Sequence, residues 1–266
     1  MRRDLAGLRV IVTGASSGIG YELALRLVER GARVVAMARR KDRLKQLGEA
    51  VGPDRLQWIA GDVTDAAVRQ EAIELCRSSW GGLDVLINNA GVGGHGSFAA
   101  ADQERLRKIM EVNFFAPAEF IRQALPLLRA GKTPLIVNVG SVLGHRAAPG
   151  KSEYSASKFA MHGLSDALRI ELGREGIDVL LVSPSTTSTE FFDVAMPTTA
   201  DGGAEAHRMK RQRTFGVMTP AAVAERIIRA IQKGKREIIL SPGGKALVWL
   251  DRLCPPLAEW ILTKFA

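Results

Sequence analysis

Short apolar runs alternate with longer amphipathic stretches along most of the chain. The apolar runs are rich in valine, isoleucine and leucine, which is typical of strands buried on both faces. They predict strands at residues 8–13, 33–38, 56–60, 83–87, 135–139, 178–182 and 237–240. Helical spacing predicts helices between Gly20 and Gly31 and at about 41–51, 65–79, 102–129, 152–172 and 220–232, the longest bent near Pro117 or Pro126. Because strands that alternate with helices pair in parallel, the pattern predicts an α/β doubly wound fold with a central parallel sheet of about seven strands and helices on both faces.

Length and composition favour one soluble domain over the whole of residues 1–266. No linker or low-complexity run divides the chain, and no apolar run approaches the ~20 residues that a membrane-spanning helix needs. Cys76 and Cys254 are too far apart to indicate a disulfide framework, and the histidines show no metal-ligand spacing, so we expect no metal. The start of the chain lacks a signal-peptide pattern, which favours a cytoplasmic location.

The formal net charge is +9, with lysines and arginines spread along the chain. A nucleic-acid-binding protein would show a recognised module or a basic surface with aromatic residues, and the sequence contains neither. We therefore predict no nucleic-acid partner. The charge is expected to attract an anionic cofactor or substrate.

The first predicted strand runs into a glycine-rich turn, Gly14-Ala15-Ser16-Ser17-Gly18-Ile19-Gly20, and a helix follows. Glycines allow the backbone to approach a pyrophosphate closely, and a helix N-terminus offers unpaired N–H groups and a favourable dipole. Tight packing alone can also select glycine. Because this turn lies between a strand and a helix, it indicates nucleotide binding.

The stretch after the second strand, Ala38-Arg39-Arg40-Lys41, contains no acidic residue before Asp42. Folds that bind NAD(H) usually offer a carboxylate to the ribose hydroxyl at this point, whereas arginine pairs with a 2′-phosphate. The stretch predicts NADP(H) as the preferred cofactor, with NAD(H) less favoured. Arg39 is the expected phosphate ligand, assisted by Ser16 or Ser17, and simple solvation of Arg39 and Arg40 is the alternative.

Tyr154 and Lys158 lie four residues apart, on one face of the predicted helix at 152–172. A free phenol has a pKa of about 10, and a nearby ammonium favours the phenolate. We therefore expect Lys158 to lower the pKa of Tyr154 and to make it a useful general acid/base. Two ordinary helix residues are the alternative, because an isolated pair of this kind is common.

Several motifs occur in a fixed order: Thr13-Gly14-Ala15-Ser16-Ser17-Gly18-Ile19-Gly20, Asn88-Asn89-Ala90-Gly91, Ser141 and Tyr154-x-x-x-Lys158. Together, from residue 13 to about 190, they resemble the short-chain dehydrogenase/reductase family. The resemblance implies a Rossmann-like fold, a nicotinamide cofactor, and interconversion of a carbonyl and a primary or secondary alcohol on a small molecule.

The resemblance also implies roles for individual residues. Ser141 would hydrogen-bond the substrate oxygen, Tyr154 would exchange a proton with it, and Lys158 would hold the nicotinamide ribose. Asn113 would support a water-linked proton path near Lys158. Ser185 stands where the family commonly has glycine, so the turn after the sixth strand departs from the family pattern. Further cofactor contacts would come from Asp62, Val63, Asn89, Ala90, Gly91, Pro184, Thr187 and Thr189.

Residues 190–217 lie where the family places a substrate lid, and their phenylalanines and methionines favour a partly apolar substrate. Residues 244–266 form an amphipathic C-terminal segment. Packing on its own domain or across a dimer is expected for this segment, and contact with a membrane interface is the alternative. The resemblance also favours a homodimer or homotetramer built on the helices at 102–129 and 152–172.

Two other functions are compatible with the same scaffold. One is an NADP(H)-binding sensor or scaffold protein without turnover, which would not need the proton-transfer residues that this chain retains. The other is a related epimerase or dehydratase, a class that generally carries a larger substrate domain than this chain has room for.

Overall fold

A seven-stranded parallel sheet forms the centre of the structure, a computed structural model that describes residues 3–188, 196–197 and 217–265. The strands in chain order are β1 (Arg9–Thr13), β2 (Arg33–Ala38), β3 (Leu56–Ala60), β4 (Val85–Asn88), β5 (Gly94–His95), β6 (Leu135–Val139), β7 (Asp178–Ser183), β8 (Met196–Pro197) and β9 (Glu237–Ile239). The large sheet has the order β3-β2-β1-β4-β6-β7-β9. Every pair in it is parallel, so the predicted doubly wound, Rossmann-like fold is confirmed.

The helices cover both faces of this sheet. They are α1 (Gly18–Glu29), α2 (Lys41–Val51), α3 (Ala66–Trp80), α4 (Gln103–Met110), α5 (Ala116–Arg129), α6 (Ser152–Glu171), α7 (Pro220–Gln232), α8 (Pro242–Leu253) and α9 (Pro255–Phe265). Alternate residues of each strand face opposite sides, as the pleat requires. On β1, Val10 and Val12 pack with apolar residues of α1, α2 and α7, whereas Ile11 packs with those of α3 and α5. Two apolar cores therefore hold the sheet between them.

The helical stretch predicted at 102–129, with a bend near Pro117 or Pro126, is irregular just before Pro117. A π-helical turn, Glu111–Phe115, separates α4 from α5, and the N–H of Ala116 donates to the carbonyl of Glu111. Pro117 follows at once and has no N–H, so the carbonyl of Asn113 cannot receive the α-helical bond from residue 117. Pro126 lies inside α5 without interrupting it. The irregular turn thus falls at the residue that the family resemblance singles out.

A small parallel ladder lies apart from the large sheet. In it, β5 pairs with β8, with Gly94 opposite Met196 and His95 opposite Pro197. The strand β8 belongs to the predicted lid at 190–217, the rest of which up to residue 216 lies outside the described residues. The ladder joins the lid segment to the loop that follows β4.

Candidate active site

A cleft of about 440 Å³ lies beyond the carboxyl ends of the parallel strands. Ligands bind at this edge in open α/β sheets, because the strand-to-helix loops converge there. Most of the sequence-predicted site residues line the cleft: Gly14, Ser16, Ser17, Gly18, Ile19, Arg39, Asp62, Val63, Asn89, Ala90, Gly91, Ser141, Tyr154, Lys158, Pro184 and Thr187. Gly20 and Asn113 are not among the lining residues, and Thr189 lies outside the described residues.

The glycine turn at one end of the cleft needs glycine for two physical reasons. Gly14 has a φ of +69° and Gly18 a φ of +56°, a region that side chains other than glycine rarely adopt. Gly20 is closely packed: a Cβ there would lie 2.3 Å from the carbonyl oxygen of Gly14 and 2.5 Å from Nδ2 of Asn89. Since α1 begins at Gly18, its unpaired N-terminal N–H groups lie at the cleft.

Asn89 and Ala90 hold the loop after β4 against β1. The N–H groups of both residues donate to Oγ1 of Thr13 at 2.9 Å, and Nδ2 of Asn89 donates to the carbonyl of Thr13 at 2.9 Å. The floor of the cleft is thereby fixed by hydrogen bonds to the residue that precedes Gly14.

Two arginines and a serine form a polar corner beside the glycine turn. Arg39 and Arg40 both line the cleft, and Nε of Arg40 donates to Oγ of Ser16 at 3.2 Å. The sequence favoured Arg39 as the phosphate ligand. The contact of Arg40 with Ser16 depends on the position of α2 relative to β2, which the sequence pattern does not give. The corner presents two guanidinium groups and a hydroxyl, a donor set suited to a phosphate.

Asp62 lies beside this corner. Partial burial by itself raises the pKa of Asp62, but hydrogen bonds from the N–H and hydroxyl of Thr64, at 3.0 and 2.9 Å, and the charge of Arg39 outweigh it. The net result is a pKa below the ordinary value, so the Asp62 carboxylate is charged at neutral pH.

Ser141, Tyr154 and Lys158 meet at the other end of the cleft. Ser141 follows β6, and its Oγ accepts a hydrogen bond from the N–H of Leu143 at 3.1 Å. Its hydroxyl also hydrogen-bonds the phenol of Tyr154, and Nζ of Lys158 lies 5.7 Å from the centre of the Tyr154 ring. All three side chains are buried, so they form a compact polar group in surroundings of low polarity.

The prediction that the pKa of Tyr154 is lowered is wrong: the protein groups around the phenol raise its pKa. Burial raises the pKa of the phenol to about 12, and the hydrogen bond with Ser141 offsets only part of that rise. Burial also lowers the pKa of Lys158 to about 8, and its Nζ donates to the carbonyl of Val139 at 2.9 Å. At neutral pH the phenol therefore carries its proton, and Lys158 remains largely cationic.

Asn113 braces the site from the π-helical turn. Its Nδ2 donates to the carbonyl of Val92 and to Oγ of Ser157, both at 3.0 Å, and its Oδ1 accepts from the N–H of Val92 at 2.8 Å. Ser157 precedes Lys158 on α6, so Asn113 ties the loop after β4 to the helix that carries Tyr154. The side chain is a positioning group in this arrangement.

The turn after β7 closes the cleft on its remaining side. The carbonyl of Pro184 accepts from the N–H of Val142 at 3.0 Å, and Oγ1 of Thr187 donates to the carbonyl of Ser185 at 3.2 Å. Thr187 also forms a parallel bridge with Met218. The substitution of Ser185 for the family's glycine therefore leaves Pro184 and Thr187 at the cleft.

One pair beside the site was missed by sequence reasoning. Arg105 of α4 and Glu153 of α6 form a buried ion pair, with Nε of Arg105 2.8 Å from Oε2 of Glu153. Glu153 directly precedes Tyr154, so the pair reaches the start of α6. Glu153 stands directly before the Tyr154 motif, but its partner lies 48 residues away in sequence and could not be identified from spacing.

Comparisons with known proteins identify the family of this chain. A family model described as short chain dehydrogenase matches residues 9–199. A dehydrogenase/reductase SDR family protein 7-like of Anopheles gambiae is 34% identical, over 99% of this chain and 84% of that protein. A 3-ketodihydrosphingosine reductase of Bacteroides thetaiotaomicron is 36% identical, over 69% of this chain and 65% of that protein.

A solved structure shares the fold. It is a short chain dehydrogenase/reductase from Burkholderia phymatum in complex with NAD, with a TM-score of 0.88, 24% sequence identity and 96% of each chain covered. The family model covers more than half of the sequence and the Anopheles relative matches almost all of it. This chain therefore belongs to the short-chain dehydrogenase/reductase family of oxidoreductases.

Proposed function

We propose that the protein is an NADP(H)-dependent oxidoreductase that interconverts a carbonyl and a primary or secondary alcohol, with Tyr154 as the general acid/base. The observation that carries the proposal is the buried group of Ser141, Tyr154 and Lys158 in the cleft that the glycine turn also lines. One cleft is thus lined both by the glycine turn and by the three buried polar side chains, which supports the proposal.

The residues present fit a nicotinamide dinucleotide. Gly14 and Gly20 leave a cradle that a single Cβ would fill, and the N-terminus of α1 opens onto it. Arg39, Arg40 and Ser16 would hold a 2′-phosphate, while Asp62 and Val63 would lie at the adenine and Lys158 and Thr187 at the nicotinamide end. When bound, the cofactor supplies or accepts the hydride.

The protein's own groups handle the proton. In carbonyl reduction, Tyr154 donates its phenolic proton to the substrate oxygen, and the Ser141 hydroxyl hydrogen-bonds the same oxygen as negative charge grows there. A pKa of about 12 keeps the phenol protonated before the reaction. In alcohol oxidation, the phenolate accepts the proton, and the ammonium of Lys158 favours that charged form.

Asn113 supplies a way to replace the proton. Because residue 117 is proline, the Asn113 carbonyl lacks its usual α-helical donor and is suited to accept a hydrogen bond from water. Its side chain is already engaged by Val92 and Ser157. We assign the main-chain oxygen of Asn113, rather than its side chain, to the proton path toward Lys158.

The substrate is partly apolar. Val142 and Leu143, which directly follow Ser141, line the cleft together with Val92, Val112 and Ala148, and such apolar lining favours a hydrocarbon group on the substrate. The name of the Bacteroides relative points to a long-chain amino ketone as one substrate of this kind.

The active enzyme is a homodimer or homotetramer built on α4, α5 and α6. Phe115, Phe159 and Ile170 are large apolar side chains that remain exposed on or beside these helices. Apolar residues at such positions favour contact with a second copy.

The test is a cofactor-oxidation screen with the purified protein. NADPH and NADH are each combined with ketones, aldehydes, quinones and a long-chain 3-keto amino alcohol, and the loss of reduced cofactor is followed by absorbance. The proposal expects turnover with at least one class and faster turnover with NADPH than with NADH. Tight NADPH binding with no oxidation by any class would favour the sensor or scaffold function.

A further inference from the structure

The two C-terminal helices separate their residues into an inner and an outer face. Val248 of α8 and Ala258 of α9 are buried, and the helices pack against each other. The outer face carries large apolar side chains that stay in solvent: Trp249 (59% exposed), Leu253 (79%), Leu257 (43%) and Trp260 (56%). These four residues, called the outer face below, are largely exposed among the residues that the structure describes.

The charged residues of the two helices are mostly cations. Asp251, 20% exposed, pairs with Arg146 at an N–O distance of 3.0 Å, whereas Glu259, 73% exposed, lies 3.8 Å from the same arginine. Two cations lie against the exposed tryptophans: the Arg252 guanidinium is 5.9 Å from the ring centre of Trp249, and the Lys264 ammonium is 4.9 Å from that of Trp260. Lys245 is exposed one turn before Trp249. The outer face is therefore apolar and aromatic, and cations adjoin both of its tryptophans.

We propose that the outer face docks the protein on the surface of an anionic lipid bilayer. Tryptophan favours the boundary between headgroups and acyl chains, and leucine adds apolar area just below it. Lysine and arginine beside such residues are attracted to anionic headgroups while their alkyl stems cover apolar surface. Among the described helices none combines the length and the apolar character of a membrane-spanning segment. The geometry is that of a helix pair lying in the interface.

A second copy of the chain fits this face less well. A two-fold interface brings the same patch of both copies together. Each copy would then bring Lys245, Arg252 and Lys264 toward the same three cations of the other, with Glu259 as the exposed acid of the described helix pair. An anionic bilayer supplies the missing complementary charge.

The test is co-flotation of the full chain with lipid vesicles in a density gradient. One set of vesicles is phosphatidylcholine alone, and the other also contains phosphatidylserine. We expect binding to the second set and little to the first. The double variant Trp249→Ala, Trp260→Ala should bind at least about tenfold more weakly, because both interfacial anchors are lost.

Charge is tested separately with Arg252→Glu, Lys264→Glu. Each cation near the surface is worth about fivefold in binding, so this variant should lose about 25-fold or more. Phe98→Ala is the matched control, since Phe98 is equally exposed but lies outside the C-terminal helices. NADPH affinity and thermal unfolding of each variant show whether it folds.

Failure of the wild type to float with either set would overturn the proposal. Unchanged flotation of a folded tryptophan or charge variant would also overturn it. If the wild type binds no vesicles and the tryptophan variant has a smaller oligomeric mass than the wild type, the outer face contacts a second copy of the chain instead. These outcomes do not depend on catalytic turnover.

Discussion

Arg105 and Glu153 are joined by an almost completely buried ion pair next to the proposed proton donor. Their side chains are 6% and 2% exposed, and Arg105 also donates from Nη1 to the carbonyl of His95 at 3.2 Å. Arg105 therefore connects α4, the start of α6 and the ladder of β5 and β8. Since Glu153 precedes Tyr154, the pair fixes the turn of helix on which Tyr154 stands.

We predict that Arg105→Ala destabilises the fold by about 3–5 kcal/mol, because it leaves a buried carboxylate without its partner. Glu153→Gln keeps a hydrogen-bond acceptor and should fold, with kcat reduced and NADPH affinity unchanged. Urea unfolding and steady-state kinetics measure the two effects. The exposed pair of Arg122 and Glu119 is the control, and Arg122→Ala should change stability little. Equal effects of Arg105→Ala and Arg122→Ala would contradict a positioning role.

The polar corner predicts cofactor preference. Arg39→Ala and Arg40→Ala should each weaken NADPH binding by about tenfold to a hundredfold, since each removes a charge-assisted hydrogen bond to a 2′-phosphate. NADH binding should change much less. Arg43→Ala, on the exposed side of α2, is the control, and isothermal calorimetry gives the dissociation constants. Equal losses for both cofactors would remove these arginines from a phosphate site.

We predict that the glycine turn does not tolerate a side chain at Gly20. A Cβ at Gly20 would lie 2.3 Å from a backbone oxygen of Gly14, so Gly20→Ala should cost about 1–3 kcal/mol and weaken cofactor binding. Gly163 of α6 has open space around it, and Gly163→Ala should instead stabilise by about 0.5–1 kcal/mol. Chemical denaturation compares the two. A Gly20→Ala variant as stable as Gly163→Ala would show that the turn is not closely packed.

His162 predicts the response to acid. Burial is the main cause that lowers the pKa of His162 from 6.5 to about 4, with His145 and Lys158 adding to it against Glu237 and Asp166. Between pH 6.5 and about 4, His162 binds more protons in the unfolded chain than in the folded one. The contribution of His162 to the free energy of unfolding is therefore fully present above pH 6.5 and is lost as the pH falls toward 4. The loss from this group is at most about 3 kcal/mol.

His162→Gln, which cannot be protonated, should flatten this part of the stability profile. Urea unfolding of both proteins at several pH values in that window measures the difference. Parallel profiles would mean that the buried ring of His162 does not titrate between the two states.

The sequence predicts the framework of the fold well. A continuous apolar run such as Val10 to Val12 indicates a strand that is buried on both faces. The glycines of the first turn indicate a nucleotide site because a strand precedes them and a helix follows. The motif residues Ser141, Tyr154 and Lys158 lie together as their resemblance implies.

Other features depend on tertiary contacts that local patterns do not encode. The pKa of Tyr154 is raised because the side chain is buried, and this effect outweighs the charge of the lysine one turn away. The partner of Glu153 is Arg105, on a helix distant in sequence. The π-helical turn before Pro117 is accompanied by the hydrogen bond of Asn113 to Ser157, a tertiary contact. The reach of Arg40 to Ser16 likewise depends on how α2 is placed.

The central claim is that Tyr154 transfers the proton, and Tyr154→Phe tests it most directly. The substitution removes one hydroxyl and keeps the ring, so NADPH affinity should stay within about twofold of the wild type. Measured by NADPH oxidation with the best substrate of the screen, kcat should fall by about 10²–10⁴-fold. A folded Tyr154→Phe protein that binds NADPH normally and retains more than about a tenth of the wild-type kcat would contradict the claim.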